Sequence, residues 1–139
     1  MRQQRPITIT GGKLVTPDGV RDAAIRFVDG NIVEIGGEAY DGDLTVDAKG
    51  LLVAPGLVDL GVFAIDKPAF HFGGITRAAL MPDQSPPLDL PSRISYIAKS
   101  GKPDFWVHPL AAASRGMEGR EIAELALMRD AGARGVATG

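Results

Sequence analysis

Cysteine is absent from the 139 residues, which removes disulfides, thiolate nucleophiles and thiolate metal sites together. Histidine is nearly absent: His71 and His108 are the two in the chain, 37 positions apart and in no pair. A metal site of nitrogen and oxygen donors usually needs two or more histidines with carboxylates, so no such site is readable here. An excess of basic charge is also missing. Fifteen Lys and Arg stand against 17 Asp and Glu, for a net charge of −2, which leaves no electrostatic footprint for nucleic acid or anionic lipid. The longest apolar run, 51–65, is interrupted by Pro55, Gly56 and Asp59 and is too short to span a bilayer. The opening "MRQQRPITIT" has two arginines but no apolar signal core. Neither G-x-S-x-G, G-x-G-x-x-G nor a P-loop occurs. The expectation is a soluble cytoplasmic protein with no nucleic-acid or membrane partner.

What is present is punctuation. Glycine (18) and proline (10) separate short apolar segments and do not form a low-complexity tract, a pattern of many turns and short elements. Over the first 54 residues the pattern predicts a β meander. "ITIT" (7–10) and "KLVT" (13–16) are β-branched strands, "PDG" (17–19) is a turn, and "LTVDA" (44–48) is a further strand. In 23–35 the alternation of Ile25, Phe27, Val33 and Ile35 with charged residues flanks Asp29-Gly30, a two-residue hairpin turn.

From residue 55 to 139 the pattern changes. Strands at 56–63, 75–81, 104–108 and 134–138 are continuously apolar, as expected when helices cover a parallel sheet. A helix is predicted over 91–100, capped by Asp89, with Pro91 in its first turn and Gly101 as its stop. Another is predicted over 119–131, with Ile122, Leu125 and Met128 inward and Gly132 as the stop. Strands alternating with helices predict β/α units. The connection 64–72 is too short for an ordinary crossover and contains Pro68. Either the first strand ends early or its helix is missing.

Isolated side chains offer little chemistry. His108 precedes Pro109 at an expected strand end, where barrel folds place functional groups. His71, Ser85 and Ser114 sit in turn-like settings, and Asp66 and Asp83 follow strands as candidate acids or ligands.

Three motifs in order say more. "VDAKGLLVAPGLVDL" (46–60), "GGITRAALMPDQSPPLDLPSRISYI" (73–97) and "FWVHPLAAASRGMEGREIAELALMRDAGARGV" (105–136) resemble cyclic amidohydrolases of the dihydroorotase type. They match the entry into the first barrel strand, the second strand with its helix, and the third strand, helix and fourth strand. The resemblance implies an α/β chain: a small N-terminal β-sandwich portion (1–54), then the first part, about four β/α units, of a TIM-type barrel (55–139). A whole barrel takes about 250 residues, and the family's sandwich is completed by C-terminal strands.

In active family members the first barrel strand ends H-x-H-x-R, two metal ligands and an arginine for the substrate carboxylate. The matching positions here are Gly61, Phe63 and Ile65, none of which offers a lone pair to zinc. The asparagine of the family's M-P-N motif is Asp83, an anion facing an anionic substrate. The acid expected after the fourth strand falls at or beyond "ATG" (137–139), which contains none. By resemblance the expectation is a non-catalytic, metal-free and cofactor-free chain of pyrimidine biosynthesis, a structural partner of aspartate carbamoyltransferase, with self-association through an open half barrel as a further possibility. Asp83 and His108 remain as substrate-binding candidates, and no catalytic residue is assigned. Two alternatives stand beside it. One is an active cyclic amidohydrolase with an unconventional zinc site; the other is a truncated product without independent function.

Overall fold

Short strands separated by turn residues make up the first unit of the chain, Met1–Pro55. The computed structural model describes residues 5–100, 102 and 105–138. The strands of this unit are β1 (Ile7–Thr10), β2 (Lys13–Thr16), β3 (Gly19–Asp22), β4 (Ile25–Val28), β5 (Asn31–Ile35), β6 (Leu44–Asp47) and β7 (Leu52–Val53). Asp29 and Gly30 take φ of 48° and 77° and place Val28 opposite Asn31. Both angles are positive, as a two-residue type I′ turn requires.

The strands form two sheets, ordered β5-β4-β1-β6 and β3-β2-β7. This corrects the expected meander: β6 runs parallel to β1 and β7 parallel to β2. A part-buried polar cluster fixes the return of the chain to β6. Thr8 is 1% exposed and donates to Asp43 at 2.6 Å. The Arg26 guanidinium grips the same carboxylate at 2.7 and 3.0 Å and lies 4.5 Å from the Tyr40 ring. Arg26 and then Thr8 hold the Asp43 carboxyl down to about 2. A side-chain hydrogen bond to Glu34 raises the Tyr40 hydroxyl.

The second unit, Gly56–Gly139, is a β/α array. In chain order come β8 (Leu57–Val62), α1 (Lys67–Phe72), β9 (Ile75–Leu80), α2 (Pro91–Lys99), β10 (Trp106–Ala112), a 3-10 turn at Arg115–Met117, α3 (Leu125–Asp130) and β11 (Gly135–Ala137). The four strands are parallel and lie side by side in sequence order, the arrangement of the first half of a TIM barrel. Side chains alternate across the sheet. Ala78, Leu80, Val107 and Ala111 are buried in one cluster with Phe70, Ile94 and Met128 from the helices. The rings of Phe70 and Phe105 meet edge to face, with centroids 5.3 Å apart. No helix among the described residues is long and apolar enough to cross a membrane.

Several local expectations change. The helix expected to be missing from 64–72 exists as α1, six residues long. Pro68 is admitted because it lies in the first turn, where the missing N–H has no intrahelical partner. Asp66 accepts from the Ala69 N–H at 3.0 Å and caps the helix. Asp89 does not cap α2. Leu90 is the N-cap, and Asp89 instead pairs with Arg93 and accepts from the Gly116 N–H at 2.8 Å. Gly101, expected as the stop of α2, lies outside the described residues, as does Asp104. The helix expected from 119 starts at Leu125. Gly119 takes a φ of 72°, Ser114 pairs with Ile122, and the Ala123 N–H donates to the Ala113 carbonyl at 3.1 Å. Ile122 is therefore 78% exposed instead of facing the core.

Candidate functional site

In open α/β arrays and barrels, ligands bind beyond the carboxyl ends of the strands. Here β8 reaches that end through an irregular stretch. Asp59 sits opposite Ala78 and Val62 opposite Leu80, so β8 carries one extra residue between them, a β-bulge. The Asp59 carboxylate accepts from the Gly61 N–H at 3.0 Å. This satisfies an amide next to the break in register, so the acid inside the apolar run has a local structural role.

Beyond the bulge positions 61, 63 and 65 present no side-chain donor atoms. Gly61 is exposed, and a Cβ built on it meets one neighbour, Met81 Sδ at 3.9 Å. Phe63 lies past the strand end and is 65% exposed, while Ile65 packs against the core cluster. Gln84 Nε2 donates to the carbonyls of Phe63 and Met81 at 3.1 and 3.0 Å, tying the β9 loop to the end of β8. Asp83, beside it, is exposed. On the next strand end the Gly119 N–H donates to Ser114 Oγ at 2.9 Å, which makes Ser114 a loop-fixing residue. Ser85 is exposed in the β9 loop.

His108 is not at a strand end. It is the third residue of the seven-residue β10 and lies opposite Ala79. The strand continues through Pro109, whose carbonyl accepts from the Arg134 N–H at 3.0 Å. The proline nitrogen faces that same side, where β11 has not yet begun, so no ladder bond is lost. His108 lines a groove of about 360 Å³ with Val58, Asp59, Leu60, Leu110 and Arg134, and Asp83 is not among the residues lining it. Burial, then the positive charge of Arg77, Arg134 and Lys102, pushes its pKa below the ordinary imidazole value. His71 is exposed on α1 and borders a second groove beside the start of β9, with Lys67, Thr76 and Phe105.

Among the described residues no group of three His, Asp or Glu side chains converges to hold a metal ion. The two positions that the family resemblance assigns to zinc, Gly61 and Phe63, do not fit it either: a hydrogen atom and a phenyl ring cannot coordinate. Sequence reasoning missed Gln84, the Asp89–Gly116 tie and the placement of Arg77 and Lys102 against Trp106, 5.3 and 4.2 Å from its ring centre. Arg77 and Trp106 carry a usable signal, since they lie two residues before Ala79 and His108 and so share the face of their strands that carries His108.

No protein-family model matches the chain. It is 32% identical to a dihydroorotase of Geobacter sp. (strain M21), over 94% of this chain and 35% of that protein. It is 35% identical to a dihydroorotase of Pelotomaculum thermopropionicum, over 91% and 34%. A dihydroorotase-like protein of Pseudomonas putida matches at 29% over 91% of the chain and 34% of its own length. The chain thus spans about a third of the length of the curated relatives it matches. Among solved structures, an L-hydantoinase from Arthrobacter aurescens superposes with a TM-score of 0.74 at 24% identity, covering 96% of this chain and 32% of that one. A dihydroorotase crystal structure superposes at 0.66 and 16% identity, covering 96% and 42%. Both likenesses concern the fold.

Proposed function

We propose that this chain, dihydroorotase-like by its 32% and 35% identity to proteins of that name, serves pyrimidine biosynthesis in the cytoplasm as a non-catalytic scaffold. Its proposed partner is aspartate carbamoyltransferase. The observation that carries the reading is the end of β8, where Gly61, Phe63 and Ile65 occupy the positions of two metal ligands and a substrate-binding arginine. Hydrolysis of a cyclic amide by this family depends on a metal that activates water and polarises the ring carbonyl. Positions 61 and 63 with no side-chain lone pair supply neither of the family's two histidine ligands, and Asp83 adds negative charge where the family substrate is already anionic.

The test is direct. The purified, folded chain is assayed for zinc by elemental analysis and for dihydroorotate turnover, then mixed with aspartate carbamoyltransferase at micromolar concentration and sedimented. The expected result is substoichiometric zinc, no turnover and co-sedimentation. Stoichiometric zinc with turnover would establish the second reading, an active cyclic amidohydrolase. That reading is supported by identities of 32% and 35% to proteins named dihydroorotase. Separate sedimentation of a metal-free, inactive chain would remove the partnership and leave the loss of catalysis standing.

A further inference from the structure

Past the end of β10 the backbone is strained. Gly116, Met117 and Gly119 take φ of 59°, 61° and 72°. Glycine adopts such angles freely, but a long side chain such as Met117 does so rarely and at a cost. Strain of this kind persists where surrounding contacts hold it, and it gathers at clamps and switch regions. Most contacts of this turn are its own. The Met117 N–H donates to the Ser114 carbonyl at 3.1 Å and the Glu118 N–H to the Arg115 carbonyl at 3.2 Å. The Arg115 N–H donates to the Glu121 carbonyl at 2.9 Å, and the Gly119 N–H to Ser114 Oγ at 2.9 Å. Among the described residues, one hydrogen bond ties 115–119 to a part of the chain outside this loop. It runs from the Gly116 N–H to Asp89 Oδ2 at 2.8 Å, across 27 positions.

Asp89 is firmly placed for that contact. Its side chain is 12% exposed and its other oxygen pairs with Arg93, which also donates to the Pro87 carbonyl at 2.9 Å. One residue earlier Leu88 is buried, and its carbonyl accepts from the Ala112 N–H at 2.8 Å. The anchor is therefore set in the core, whereas Gly116 and Gly119 are exposed. We infer that residues 114–119 are a strap with a closed and an open state, pinned closed by Asp89 of the β9–α2 loop and biased toward opening by the strained Met117. Closed, the strap joins the loops that follow β9 and β10. Opening breaks the Gly116 bond and relaxes φ at Met117. It leaves the sheet intact, because Val107, Ala111 and Ala112 before the strap and Ala123 after it stay buried. A left-handed angle at one residue and a hydrogen bond to a charged acceptor are of similar size, so either one tips the balance. The strap thus sets how the loops are arranged at the carboxyl ends of the strands, where ligands bind in such arrays. It acts alike in a scaffold and in an enzyme.

Native-state hydrogen exchange of the full chain, followed by NMR at increasing but subdenaturing urea, tests the strap. Gly119 and Gly116 are expected to exchange through an opening that urea does not promote, because little surface is exposed. Val107 and Ala111 exchange faster as urea rises. Asp89→Ala speeds exchange at Gly119 by about tenfold or more, the effect of losing a hydrogen bond to a charged group. The acceptor of the Gly119 N–H is Ser114 Oγ, which the substitution leaves in place, so a change there reports the whole strap. Met117→Gly and Met117→Ala lose the same side-chain packing and differ at the strained angle. Gly119 is expected to exchange about threefold more slowly in the glycine variant than in the alanine variant. Circular dichroism checks the fold of each. Any one of three results overturns the inference: exchange at Gly119 that follows urea as Val107 does, indifference of Gly119 to Asp89→Ala, or equal rates in the two Met117 variants. If Asp89→Ala fails to fold, the urea dependence of the parent and the Met117 pair decide.

Discussion

Substituting Ile122 and Met128 separately by alanine tests where α3 begins. On a helix running from 119 both side chains face inward and both substitutions are costly. In the structure Met128 is 0% exposed and Ile122 78% exposed. Truncating a buried methionine removes its transfer free energy and leaves a cavity, together about 2–5 kcal/mol. Ile122 is covered over roughly a fifth of its surface, so the same reasoning gives about 0.5 kcal/mol. Urea unfolding followed by Trp106 emission reads the unit that contains both residues. With a slope of about 1–3 kcal/mol per molar, Met128→Ala lowers the midpoint by about 0.7–5 M and Ile122→Ala by less than about 0.5 M. Comparable shifts for the two variants would refute the placement of residues 113–123 as a loop, and with it the explanation of why the helix starts late.

Four further outcomes follow from named contacts. Asp43 has a depressed folded pKa of about 2 against an ordinary 3.8, so its contribution to stability is complete above about pH 4 and is lost as pH falls toward 2. Acid unfolding of the first unit by circular dichroism should therefore be flatter over that window in Asp43→Asn, and an unchanged profile would count against the cluster. Asp89→Ala removes a charged acceptor from Arg93 and Gly116 and should cost about 1–3 kcal/mol in urea titrations; a loss within error would show the tie to be idle. His108 has a pKa below 6.5, so the unfolded imidazole protonates first and stability falls as pH drops from about 6.5 through the folded value. Its NMR titration midpoint should rise in Arg134→Gln. Finally, Gly61→His with Phe63→His should raise zinc affinity about tenfold or more over the parent in a chelator competition. No gain would mean that positions 61 and 63 do not converge.

Features set by neighbouring residues were legible in the sequence. Asp29-Gly30 announces its turn because few other dipeptides accept two positive φ angles. The parallel strands are legible because their runs are continuously apolar, the pattern of strands covered on both faces, and because helices separate them. What failed depended on partners far along the chain or on elements too short for a period. Six residues of α1 with a proline in the first turn give no repeating apolar face. Gly19–Asp22 holds one apolar residue, Val20, yet forms β3 because β2 supplies its ladder. Ile122, Leu125 and Met128 keep helical spacing, but Gly119 at positive φ and the Ser114–Ile122 bridge stop the helix from forming there. The Asp43 cluster joins residues 17 and 35 positions apart, a separation no local pattern reveals.

The candidate site divides along the same line. That Gly61 and Phe63 offer no side-chain donor was readable because a side chain either has a lone pair or lacks one. The position of His108 was misread because a proline usually ends a strand, and here its nitrogen faces a side where no ladder bond was due. What the structure adds is that the strand end retains its support without its donors. Asp59 still takes the Gly61 amide at the bulge, Gln84 still clamps the carbonyls of Phe63 and Met81, and the space beside Gly61 is open. A strand end that had merely collapsed would have filled that space with Met81 or Phe63, yet Phe63 remains 65% exposed. The end of β8 is held by side-chain-to-backbone hydrogen bonds from Asp59 and Gln84.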